Sequence, residues 1–379
     1  MKAKSLHGNS AQEIQDGIQN ATSDGFKPSL AIVFIAKTQD HGAHLKIFND
    51  AGIPVFGVST NGEYIDENTF TNSCAVMLFD LDPAYFRISF AEFEEGDYRG
   101  TSRNIAQKEL EHFANPAFLI SCSHSHTDAE AVLQGFSDVA GPDVNVFGNV
   151  AGDDCTFEGG FVFTNHIKSE SALMVLTFDG DHIDMKGRAT CGWHAVGTVR
   201  TVTKSEGNHV YTVDDIPVLD LTAKYGGLEN VNPENEKLFF EIAATLPLQL
   251  QREKGDPVMR PGLVIDWNDR SYYCSGSVPQ GSKVRFSVPP DFDVAEKVIK
   301  SAQDLKDTEI PNADAIVVFS CVGRFLAFGP MINMEIEGIK NVWDVPMVGM
   351  FSNAELGRAT GGNLEMHNLT AVVIALKEK

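Results

Sequence analysis

The residues best placed to do chemistry recur together at the ends of apolar runs. Three stretches close on a glycine followed by small residues and an acid. They are Gly57-Val58-Ser59-Thr60-Asn61-Gly62-Glu63, Gly148-Asn149-Val150-Ala151-Gly152-Asp153-Asp154 and Gly349-Met350-Phe351-Ser352-Asn353-Ala354-Glu355. Glu63, Asp154 and Glu355 share one offset from the glycine. Small residues at a strand end let a ligand approach the backbone, and a carboxylate there can take an amine or a hydroxyl. The glycines could equally make tight turns and the acids cap the next segment. In Ser320-Cys321-Val322-Gly323-Arg324 an arginine follows a strand and a glycine, where its planar fork can clamp a ligand carboxylate. Glu335, eleven residues on, could instead tie Arg324 into a structural bridge.

The other candidates are thinner. His124 and His126 share one turn, but two ligands make no zinc centre, and a polar helix start accounts for them equally. His194 sits beside Trp193 in a mostly apolar loop between Gly192 and Gly197. It could ligate a haem iron or be a satisfied structural imidazole. The Asp153-Asp154 pair could bind a divalent cation. Cys321 as a nucleophile would need a base and a lowered pKa; Arg324 is near, but no histidine is assigned to it. No G-x-S-x-G elbow, no Walker A motif and no G-x-G-x-x-G after a strand is present.

These residues need elements to hold them. Leu30-Ala31-Ile32-Val33-Phe34-Ile35 is a continuous apolar run, the pattern of a strand buried on both faces. The segments 31–63, 117–154 and 315–355 share one grammar: apolar strand, polar turn, helix, then the strand that carries the glycine. Cys122 and Cys321 correspond, each after a serine at a strand end. Further strands follow the turns, at 73–79 and 370–376. Ser10 to Glu13 and Thr127 to Glu130 read as capping boxes that open helices, and Asp293 as the cap of a third. The spacing predicts an α/β fold of repeated strand–helix–strand units in mixed sheets flanked by helices. A turn-rich stretch over 205–215 places a boundary there, giving domains 1–215 and 216–379, with a helix over 219–228 and a hairpin of 262–266 with 271–274 early in the second.

The whole-chain properties narrow the class. The 379 residues are 43% hydrophobic and carry a net charge of -22. So acidic a surface repels phosphate backbones and anionic membranes, and no basic patch offsets it. The start lacks the apolar core of a signal peptide, and no run approaches a membrane span. Six cysteines without a C-x-x-C pair suit reduced, buried thiols. The expectation is a cytoplasmic protein that binds neither nucleic acid nor membrane.

Taken in order, these words resemble the FIST domain, a sensory domain of bacterial signalling proteins. The matching words are 57–63, with Val58 where the family has a cysteine; 147–154; Gly192-Trp193 with Gly197, Val202 and Thr203; Gly281-Ser282; 319–324; 349–355; and His367-Asn368-Leu369-Thr370. The resemblance covers about 30 to 376 and implies sensing of a small ligand without catalysis, with output through a partner. No kinase, cyclase or chemotaxis module accompanies it, so the chain is similar to the stand-alone, haem-binding, nitric-oxide-sensing FIST proteins. That likeness implies haem b and a partner histidine kinase or cyclic-di-GMP enzyme. The iron ligand would be His194 first, followed here by Ala195 where the family has a proline, then His124 or His126. The alternatives are a sensor of amino acids or related metabolites, held by Arg324, Glu335 and Glu355, and an enzyme on the same scaffold using Cys321 or Asp153-Asp154. The sequence leaves homodimer formation open.

Overall fold

The computed structural model describes residues 1–94, 96–123, 127–156, 158–235, 246–288 and 293–379. The three repeats build three six-stranded sheets of one design. In hydrogen-bonded order the first sheet holds Lys2–Gly8, Cys74–Asp80, Leu30–Ala36, Val55–Thr60, Val162–Phe163 and Lys168–Ser169. The second holds Phe86–Glu92, Ala172–Asp179, Pro116–Cys122, Val146–Val150, Ala354–Arg358 and Leu364–His367. The third holds Ile183–Thr190, Ala371–Glu378, Ala315–Cys321, Met347–Ser352, Glu63–Ile65 and Asn68–Phe70. In each, the two middle strands run parallel, joined through a helix, and their other neighbours are antiparallel. The predicted α/β class with mixed sheets is the observed one.

The last two strands of every sheet are supplied by a different repeat. After its glycine–acid turn the first repeat sends Glu63–Ile65 into the third sheet. The third sends Ala354–Arg358 into the second, and the second sends Val162–Phe163 into the first. The exchange is cyclic, and the turns that make it interlock. Asn61 N donates to Phe351 O at 3.0 Å, Asn353 N to Val150 O at 3.0 Å, and Gly152 N to Ser59 O at 2.9 Å. Asn61 Nδ2 reaches Asn353 Oδ1 at 2.9 Å.

The recurring glycine now has a packing reason. Gly57 and Gly349 lie inside strands, not in turns. A Cβ on Gly57 would stand 2.2 Å from the Phe163 ring, and one on Gly349 would stand 2.0 Å from the Tyr64 ring. The strands exchanged into the first and third sheets each lay an aromatic ring on the glycine they meet, a close approach that only glycine permits, whereas a Cβ on Gly148 would stand 2.2 Å from Ile120 O.

The inner faces of the three sheets meet in one core that includes Phe34, Leu119 and Phe319. Helices cover the outer faces: Ala11–Thr22 and His41–Ala51 on the first sheet, Tyr98–His112 and Ala129–Ala140 on the second, Asp293–Thr308 and Ile332–Trp343 on the third. Burial on both sides explains why the central strands read as unbroken apolar runs. The first helix is capped by Ser10, while Glu13 reaches back to the amide of Asn9. In the helix Ala129–Ala140 the cap is Asp128, not the expected Thr127, because Asp128 Oδ1 takes the Ala131 amide.

A fourth sheet is inserted into the third repeat, between Ile183–Thr190 and Asp293–Thr308. It runs Val258–Arg260, Leu248–Leu250, Lys283–Val288, His194–Glu206, His209–Val213, Ser271–Cys274 and Gly262–Asp266. Its own core includes Val202, Val210, Leu219 and Phe286. The hairpin predicted from 262–266 and 271–274 is present, and the helix predicted over 219–228 forms as Val218–Tyr225. No helix among the described residues is long and apolar enough to cross a membrane.

Candidate functional site

The register places corresponding residues of the three sheets side by side and exposes one that differs. On the inner face of the first sheet Phe34 pairs with Val58, and on the third Phe319 pairs with Met350. The second sheet has Ser121 paired with Asn149 at that place. Glu355 lies opposite Asn149, and His367 opposite Glu355. The second sheet therefore carries a polar row, Ser121-Asn149-Glu355-His367, all buried. Asn149 Nδ2 donates to Ser121 Oγ at 2.9 Å, but Asn149 Oδ1 has no partner. Glu355 Oε1 accepts from Ser352 Oγ at 2.7 Å, but Oε2 has none. Directly opposed residues have Cβ atoms about 5 Å apart, so two unsatisfied oxygens stand on neighbouring side chains. Burial pushes the Glu355 carboxyl well above its usual range. Burial, with the charge of Arg260, lowers His367 to about 4, so its neutral ring donates Nε2–H to Gly357 O at 3.2 Å.

Arg324 and Cys321 border this row from the end of the third sheet. Arg324 is fully buried. Its Nε and Nη2 bond to the two carboxylate oxygens of Glu335, and its Nη1 donates to Leu369 O at 3.0 Å and to Cys191 O. The guanidinium lies 5.3 Å from the Trp193 ring and 4.9 Å from the Phe328 ring. A ligand carboxylate would have to displace Glu335, so the guanidinium acts here as a brace for the chain around Glu355. Cys321 is buried, and burial together with the Glu355 carboxyl pushes its thiol strongly upward, away from the reactive thiolate. Trp193 is buried with its Nε1 unpartnered.

The remaining candidates are scattered. Glu63, the counterpart of Glu355 in the third sheet, accepts from Thr60 Oγ1 and from Ser73 Oγ at 2.7 Å. Burial first, and the charge of Asp154 in addition, raise it to about 7. Asp154 is not its structural equivalent, although their offsets match. The place in the first sheet that corresponds to Glu63 and Glu355 belongs to Val162, opposite Val58, because the second repeat loops out before its strand is exchanged. His124 and His126 lie outside the described residues.

The haem that the resemblance implies finds no fitting residue in His194. The ring is exposed on the strand His194–Glu206, with Lys297 Nζ 3.0 Å and 3.3 Å from its two nitrogens. An iron ligand needs a lone pair directed into an apolar slot, not toward an ammonium group. Surface depressions of about 630 Å³, lined by Asp220, Lys224 and Arg270 among others, and about 300 Å³, lined by Arg252 and Lys254 among others, include neither His194 nor Glu355. On the inserted sheet His209, Asp266 and Asp269 bring their ligand atoms within 4.8 Å of one another. His209 bonds to Ser271 Oγ, which donates to Asp269, while Asp266 accepts from Asn268, so all three side chains already have partners within the chain.

Sequence reasoning picked Glu355 and missed Asn149 and Ser121. Comparing the repeats column by column would have found them, since polar residues replace apolar ones in that one copy.

Two family models match the chain. The FIST N domain covers residues 29–216 and the FIST C domain residues 219–358. No curated protein matches.

Proposed function

The chain belongs to the FIST family, and from that membership we propose that it senses a small ligand carrying an ammonium group, held between Glu355 and Asn149. FIST domains are associated with small-ligand sensing in signal transduction. The observation that carries the finer reading is that Glu355 and Asn149, buried and opposed in register, each hold one oxygen without a partner, Oε2 and Oδ1. A buried acceptor without a donor is costly, and an ammonium group supplies the missing donors. Arg324 is a positioning residue in this scheme, bracing the carbonyls of Cys191 and Leu369. The role is binding and not catalysis, a reading supported by the protonated state that burial imposes on Cys321. A signalling enzyme of the histidine kinase or cyclic-di-GMP class would read the bound state.

Thermal unfolding of the full chain with amino acids, simple amines and haem tests this. A true ligand raises the midpoint by mass action, equivalent to about 2.7 kcal/mol at a hundred times its dissociation constant. The expected result is a shift with an amine-bearing compound that is lost in Glu355→Gln and in Asn149→Leu. An unshifted midpoint with every amine would overturn the proposal and leave the two oxygens to a buried water. A Soret band on haem addition that responds to nitric oxide would overturn it in favour of the gas sensor.

A further inference from the structure

The Asp153-Asp154 pair has no part in that site, yet it has the less settled electrostatics. In the first and third repeats the chain passes straight from the turn into the exchanged strand. In the second it makes a loop before Val162 joins the first sheet. Asp154 and Cys155 are both left-handed there, with φ of 57° and 59°. Asp153 is fully buried. Its Oδ2 accepts the Gly159 amide at 3.0 Å and closes the loop, while its Oδ1 has no partner. Asp154 is half-buried and accepts the Thr38 amide at 3.1 Å.

No described ion pair offsets these charges. Lys37, next to Thr38, bonds to Glu158 instead. A buried carboxylate oxygen without a donor calls for a water or an ion. Two successive carboxylates with no described ion pair to either favour the cation. Carboxylate oxygens select a hard metal, and two carboxylates with water completing the shell suit Mg²⁺ better than Ca²⁺, which takes six to eight oxygens.

We propose that Asp153 and Asp154 bind a divalent cation of the Mg²⁺ type, with water filling the rest of its coordination sphere. The ion pins the junction of the three sheets. Asn61 Oδ1 accepts the amides of Asp153 and Cys155, each at 2.9 Å, and Asn61 Nδ2 bonds to Asn353. A metal at the loop therefore stiffens the ring of turns through which the strands are exchanged.

Electron paramagnetic resonance of Mn²⁺, titrated into the chelator-stripped full chain at fixed ionic strength, tests the assignment. A chain with a net charge of -22 attracts cations everywhere, so the control Asp50→Asn removes one exposed charge elsewhere. Expected is one site that Mg²⁺ displaces, weakened at least about tenfold in Asp154→Asn, a step of about 1.4 kcal/mol, and unchanged in Asp50→Asn. Asp154 is the informative variant because an asparagine keeps the acceptor for Thr38, whereas Asp153→Asn could disturb folding. Weak binding equal in all three proteins, or a single site indifferent to Asp154→Asn, would overturn the proposal.

Discussion

At the scale of single residues, Glu63 couples the fold to pH. Burial and Asp154 hold its carboxyl up at about 7 against the opposing hydroxyls of Thr60 and Ser73. In the unfolded chain the group returns to about 4.5. Between those values the native state keeps a proton that the unfolded state has lost, so stability falls as pH rises. The slope is about 1.4 kcal/mol per pH unit, or about 3 kcal/mol across the window, with no contribution from this group to the slope below about 4.5 or above about 7. Glu63→Gln keeps an acceptor and removes the titration. Urea unfolding from pH 5 to 7.5 should show wild type losing stability relative to the variant as pH rises. Parallel curves would mean that Glu63 ionises no differently in the folded chain. Arg324 and Glu335 contrast with this, since their charges are paired with each other within the molecule.

At the scale of elements, the glycine is the receptor and the exchanged strand is the insert. Tyr64 stacks over Gly349 and anchors its hydroxyl on Val318 O at 3.0 Å. Gly349→Ala forces a methyl group into that ring, an overpacking that costs about 1–3 kcal/mol. Shortening the ring with Tyr64→Leu has its own cost but opens the space. A double-mutant cycle should therefore find Gly349→Ala clearly less harmful beside Tyr64→Leu than alone, whereas additive losses would show that the contact does not set the position. The glycines, the apolar strands and the capped helices were legible in the sequence because each is a local pattern. The exchange was not, because the partner of a strand such as Glu63–Ile65 lies far along the chain, against Met347–Ser352. The same gap explains the matched offsets of Asp154 and Glu63, since the offset is local and the sheet position is not. Glu355 was legible as an acid after a turn, while Asn149 gained meaning only when the register set it opposite Glu355.

At the scale of the molecule, sequence division and spatial division do not coincide. The family models part the chain between residues 216 and 219, and composition suggests a boundary near 215. Yet the third sheet contains Glu63–Ile65 from the first half, and the second contains Ala354–Arg358 from the last. Residues 1–215 alone would leave the second sheet without its outer two strands, strand 63–65 paired only to its hairpin neighbour 68–70, and strand 183–190 without a partner. Unpaired edges of that kind aggregate readily. The inserted sheet is different. It has a separate core, and Gly192, just before it, lies against Val294, in the helix that follows it: a Cβ on Gly192 would stand 3.2 Å from Val294. It is also tied to the body by Arg260, whose Nη2 bonds to Glu130 at 2.6 Å and whose Nη1 bonds to Met366 O at 3.1 Å. Replacing 194–288 with a short Gly/Ser linker should leave the three sheets folded, less stable for the lost cross-link but still unfolding in one cooperative step. Cutting at 215 should give two fragments that unfold without cooperativity alone and regain a shared transition only when mixed. Calorimetry on all three proteins decides the matter: a sharp transition in 1–215 by itself would mean that strand exchange is not what makes the body one folding unit.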